Sequence, residues 1–94
     1  MTASIRLNGV TVLEDVEVEL ENTSPPDAPQ RDWSGNFWFP LNPPNLVRSS
    51  QIYEPEMERV IVLDDGRQGE FKPGRLVKKQ GLIQIDFVGA GILG

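Results

Sequence analysis

The sequence predicts an all-β domain covering residues 1–94, a small antiparallel barrel or sandwich of about six or seven strands. Three features carry that reading. Apolar and polar residues alternate at Val16, Val18 and Leu20, and again at Ile83, Ile85 and Phe87, which is the period of a strand with one buried face. The tight-turn pairs Asn8-Gly9 and Asp65-Gly66 separate such runs. Nine glycines and eight prolines favour many turns over long helices.

Residues 3–21 read as a first hairpin. Ile5 and Leu7 alternate with polar neighbours, Asn8-Gly9 supplies the turn, and Val10 and Val12 resume the alternation. Val16, Val18 and Leu20 then face inward, with Glu17, Glu19 and Glu21 on a solvated acidic face. Leu13 falls on the wrong side, which a bulge near Glu14 would explain. Residues 22–32 hold three prolines and no large apolar residue, the composition of a surface loop. In 33–40, Phe37 and Phe39 share one face of a strand and Trp38 takes the other. Residues 40–51 read as a second Pro-rich surface loop, with Leu46-Val47 as a packed anchor.

The stretch from Arg59 to Phe87 organises the rest as a meander. Val60-Ile61-Val62-Leu63 is apolar on both faces, which suits a central or covered strand. A two-residue turn at Asp65-Gly66 would set Val60 opposite Phe71; a three-residue turn ending at Gly66 would shift that register. Another turn is expected near Pro73-Gly74, followed by a connection and the final strand 82–88. The tail 89–94 is apolar and reads as flexible, with Ile92 and Leu93 either docking on the sheet or waiting for a partner.

Composition narrows function by exclusion. The formal charge is −5 and the only dense basic stretch is Arg75, Lys78 and Lys79, so neither nucleic acid nor an anionic membrane is an expected partner. No cysteine and no histidine are present. Thiolate chemistry, the usual neutral-pH proton shuttle and the commonest metal ligand are therefore missing, and no metal or cofactor is expected. No apolar run approaches the roughly 18–20 residues of a membrane span, so a soluble, cytoplasmic protein is the default.

Candidate sites follow from surface chemistry. Trp33, Trp38 and Tyr53 offer a stacking platform for a carbohydrate or an extended peptide, although large aromatic residues also serve as core. Ile92 and Leu93 offer apolar surface to a protein partner or to a second copy. Glu14, Asp15, Glu17, Glu19 and Glu21 could be read as a catalytic or cation-binding group, but alternation sets Glu17, Glu19 and Glu21 toward water and the group reads as a solvated face; Asp64-Asp65-Gly66-Arg67 reads as a turn in place of a metal loop. Short strands separated by Gly-rich turns resemble small barrels of the SH3-like type, a likeness of fold alone. The expectation is a non-catalytic protein–protein interaction or assembly module. Its alternative is a carbohydrate- or peptide-binding module built on Trp33, Trp38 and Tyr53. An enzyme would need a deep pocket holding two carboxylates, as glycoside chemistry requires.

Overall fold

In order, the chain forms β1 (Thr2–Leu7), β2 (Val10–Asn22), β3 (Trp33–Pro40), α1 (Pro43–Ile52), β4 (Arg59–Leu63), β5 (Gln68–Lys79) and β6 (Leu82–Gly89). The computed structural model describes residues 1–94. The strands close into an antiparallel barrel in the order β1-β2-β3-β6-β5-β4, with β4 returning to β1. Of barrel and sandwich, the barrel is therefore the form realised, with six strands. Two three-stranded meanders, β1–β2–β3 and β4–β5–β6, are joined by the segment carrying α1.

Turn residues fix the strand ends. Asn8 and Gly9 have φ of +50° and +79°, as a type I′ hairpin turn requires, and Gln80 and Gly81 repeat this at +52° and +77°. Between β4 and β5 the loop is the three-residue version: Gly66 N donates to Leu63 O (3.0 Å) and Leu63 N to Arg67 O (2.8 Å). Val60 thus pairs with Glu70, not with Phe71.

The bulge near Glu14 is present. Asp15 takes φ of +52°, and the register slips between Ala3↔Val16 and Ile5↔Leu13. Leu13 and Val16 both point inward as a result, while Val10 is 63% exposed, not inward as the alternation suggested.

Two turn signals were misleading. Pro73-Gly74 does not end a strand; it lies at a register shift between Pro73↔Phe87 and Leu76↔Ile85 inside the 12-residue β5. The Pro-rich stretch 40–51 is not a loop throughout, because residues 43–52 are helical. Asn42 caps that helix, its Oδ1 accepting from Asn45 N (3.0 Å), and Pro43-Pro44 occupy the first turn, where a missing N–H costs nothing. Leu46 and Val47, expected to be a packed anchor, are exposed on it, while Asn45, Ser49 and Ile52 face in. The segment 23–32 is a loop as expected, braced by Gln30, whose Nε2 donates to Pro25 O (2.9 Å) and Ala28 O (2.7 Å).

The core is a ring cluster surrounded by branched aliphatics. Phe71 meets Phe37 and Phe87 edge-on at 5.9 and 5.8 Å between centroids, a geometry worth about 0.5–1.5 kcal/mol per pair beyond area burial. Ile5, Ile61, Ile83 and Ile85 are fully buried around it, and Ile52 reaches in from α1.

The end of the barrel away from α1 is closed by the tail. Gly94 and Gln68 exchange backbone hydrogen bonds (3.0 and 3.1 Å), Leu93 N donates to Gln30 O (2.9 Å) and Ala90 N to Glu70 O (2.8 Å). Leu93 is buried and Ile92 half exposed, so the tail expected to be flexible docks through one of its two large side chains. Trp33 lies beneath it at 3% exposure, its Nε1 donating to Gly91 O (2.9 Å). A Cβ on Gly69 would sit 2.7 Å from Trp33 Cζ2, and one on Gly89 would overlap the indole; these two glycines make the socket.

Candidate functional site

At the α1 end the neighbouring strands do not match in length. β2 pairs with β3 only from Glu17↔Trp38 to Asn22↔Trp33. Residues 10–16 of β2 have β1 on one side and no strand on the other. A groove of about 590 Å³ occupies that side. Thr11 to Glu17 form one wall. Trp38, Phe39 and Pro40 of β3, Asn45 and Arg48 of α1, and Leu82 of β6 form the other.

Each wall follows from local sequence. The Asp15 bulge turns Leu13 and Val16 into the core and leaves Glu14, Asp15 and Glu17 exposed along the rim. Trp38 is on the outer face because its neighbours Phe37 and Phe39 fill the inner one, and it lies between Glu17 and Gln84 in the register. Trp38 is partly buried and contributes its indole to the β3 wall of the groove. Helix α1 is tied to the end of β3 by Asn45, whose Nδ2 donates to Pro40 O (2.8 Å). The same residue's Oδ1 accepts from Arg48 Nη1 (3.1 Å), so the cation on this wall is held by its own helix.

The groove therefore presents two carboxylates, Glu14 and Asp15, on a bare strand edge, with a third, Glu17, at the first paired position beside the Trp38 indole. Glycoside chemistry sets one carboxyl in apolar surroundings as the acid. Glu14, Asp15 and Glu17 all lie in water. What the groove suits is an extended chain: exposed backbone groups of 10–16 can accept a strand, the indole can take an alkyl stem or cation, and the acidic rim favours Lys or Arg.

Of the five side chains singled out from sequence, Trp38 alone lines the groove. Trp33 is not a recognition residue: it is core, sealed by the tail. Leu93 is likewise buried, and Ile92 is exposed at the far end. Tyr53 follows α1, 37% exposed, and its hydroxyl donates to Gly74 O (2.7 Å) on β5. The three aromatic side chains do not assemble one platform. Glu14 and Asp15, read from sequence as part of a solvated acidic face, line the groove with Asn45 and Arg48, which were not singled out from sequence. The signal for the latter pair was in the chain, in the Asn42-Pro43-Pro44 helix start that positions them.

Burial, and then the nearby Asp86 carboxylate, push the Tyr53 hydroxyl above its ordinary value of 10.0. A raised value in the folded state means the neutral phenol is favoured there. Its stabilising contribution is complete below pH 10 and is lost as pH rises through the folded value. Tyr53 is the only tyrosine, so absorbance of tyrosinate reports it alone. The native protein is expected to titrate at higher pH than the same chain in denaturant; coincident curves would show that the Tyr53 hydroxyl is not held in its partly buried position near Asp86.

No family model matches the sequence, and neither a curated protein nor a solved structure matches it significantly.

Proposed function

We propose that the protein is a non-catalytic interaction module that receives an extended, basic segment of a protein partner in the groove between β2 and the Trp38 wall. One observation carries this reading: the unpaired 10–16 edge of β2 faces an indole across an acidic-rimmed groove. Main-chain bonds along such an edge supply affinity, and alternate side chains supply selectivity. The formal charge of −5, with Glu14, Asp15 and Glu17 at the rim, selects a cationic strand over an acidic one. The chain's lack of histidine and cysteine agrees with a role in binding.

The test is a fluorescence titration. Trp33 is buried, so a change on binding reports chiefly Trp38. A short peptide alternating Lys and Val is expected to shift the emission and, measured by calorimetry because the variant lacks the reporting indole, to bind at least about tenfold more weakly after Trp38→Ala, the scale of a central aromatic anchor. A peptide alternating Glu and Val should leave the spectrum unchanged. Equal binding of both peptides, or a response only to oligosaccharides, would overturn the reading, and the latter would favour the carbohydrate alternative.

A further inference from the structure

A second bare edge lies at the same end of the barrel. β4 pairs with β5 only at Val60↔Glu70, Ile61↔Gly69 and Val62↔Gln68. β5 continues for nine residues past Glu70, paired with β6 alone. The Gly74 carbonyl is taken by Tyr53, and beyond it Arg75–Lys79 has no strand on the β4 side. Residues 75–79 read Arg-Leu-Val-Lys-Lys, and all three cations are exposed. This is the chain's one dense basic stretch.

We propose that the occupant of the groove is the 75–79 edge of β5 from a second copy of this chain, so that copies associate head to tail. This rests on the groove reading above and names its partner. The two edges match in form: residues 10–14, before the Asp15 bulge, on one and 75–79 on the other, each in a strand and each bare on one side. They are opposite in charge, with Glu14 and Asp15 on or beside the first, Glu17 just past it on the groove rim, and Arg75, Lys78 and Lys79 on the second.

Charge also excludes the symmetric alternative. Two β5 edges paired antiparallel about Val77 would set Arg75 against Lys79 twice, and like charges directly opposed destabilise a strand pair. Two β2 edges would likewise bring their acidic rims together. The charges that guard each edge against its own kind therefore permit the unlike pairing. In the order β1-β2-β3-β6-β5-β4, β2 and β5 lie three strands apart, on opposite sides of the barrel. One copy can then donate on one side while receiving on the other. Such a heterologous contact builds a closed ring or an open filament according to its rotation, not an isolated twofold dimer.

The experiment is a charge-swap mixing assay read by light scattering after size exclusion. The wild-type mass is expected to rise above 10.5 kDa with concentration. The double variant Glu14→Lys, Glu17→Lys should stay monomeric alone, as should Lys78→Glu, Lys79→Glu. An equimolar mixture of the two should associate, because the intact groove of the second accepts the intact edge of the first and the swapped pair also match. Circular dichroism confirms that each variant is folded. A wild type that stays monomeric at millimolar concentration, or a mixture no heavier than its parts, overturns the proposal. The Lys–Val peptide titration separates the two failures: peptide binding by a strictly monomeric protein removes the second copy as partner and keeps the groove, whereas failure of both removes both.

Discussion

Gly35→Ala is expected to destabilise the barrel by about 3 kcal/mol or more, placing it among the costliest single-methyl additions. Gly35 pairs with Leu20 where β2 and β3 coil tightly together. A Cβ there would overlap the Glu19 carbonyl oxygen and lie 3.0 Å from Phe87 Cζ. The first obstacle is backbone, which has no alternative rotamer, and the second is a ring held among Phe37, Phe71 and Trp33. Relief requires β2 to move away from β3, which disturbs the Glu19↔Asn36 and Val18↔Phe37 pairs beside it. In a domain of this size each 1 kcal/mol shifts the melting temperature by roughly 4–8 °C, so thermal unfolding should show a drop of about 12 °C or more. Gly91→Ala is the control. A Cβ at Gly91 meets nothing within 4 Å, and its melting temperature should match the wild type within about 0.5 kcal/mol equivalent. Equal melting of Gly35→Ala and Gly91→Ala would mean that β2 and β3 do not approach this closely.

The contrast between these glycines marks what the chain discloses in one dimension. Both sit in unremarkable sequence, and only the three-dimensional path separates them. Period-two alternation at 16–20, 37–39 and 83–87 located three strands and their inward faces, because each of those strands buries one face and wets the other. The method failed where that condition failed. Along α1 the inward positions 45, 49 and 52 are Asn, Ser and Ile, so the helical period is carried mostly by polar residues that hydrogen-bond locally, and the apolar pair Leu46-Val47 pointed the reading the wrong way. Pro73-Gly74 has turn composition but lies at a register shift, where the regular ladder is interrupted and a residue without an N–H is tolerated. Trp33 looked like a binding residue because the glycines that receive it, Gly69 and Gly89, are 36 and 56 positions away. The groove was the least legible feature. It arises from strand lengths that differ between neighbours, and no local pattern encodes a missing partner. Of its residues Trp38 could be named early, because the flanking phenylalanines force it outward whichever strands lie beside it.

Arg59→Ala is expected to cost about 3 kcal/mol or more and to weaken the groove as well, since its guanidinium makes three hydrogen bonds and one from a charged donor is worth roughly 1.5–3 kcal/mol. Arg59 opens β4, and its guanidinium gathers the chain that leads down from α1. Nε donates to Ile52 O, Nη1 to Met57 O (3.2 Å) and Nη2 to Glu54 O (2.6 Å). The Ile52 carbonyl is among the last of the helix, a group without an intrahelical partner, and a cation there also complements the helix dipole. No basic residue in the last turn of α1 does this work, so the staple comes from outside the helix. Releasing it frees 53–58 and lets Ile52 withdraw from the core. Because α1 carries Asn45 and Arg48, the same change loosens the far wall of the groove. Arg59→Lys should recover little, since one ammonium cannot span three carbonyls fixed around a planar fork. Arg59→Met keeps the apolar stem and so separates packing from hydrogen bonding. Urea unfolding should rank wild type above Lys and Met, with Ala lowest, and affinity for the Lys–Val peptide should fall in the same order under native conditions. A stable Arg59→Ala protein with an unchanged peptide affinity would show that α1 holds its place without this contact, and that the wall of the groove rests on Asn45 and Ile52 alone.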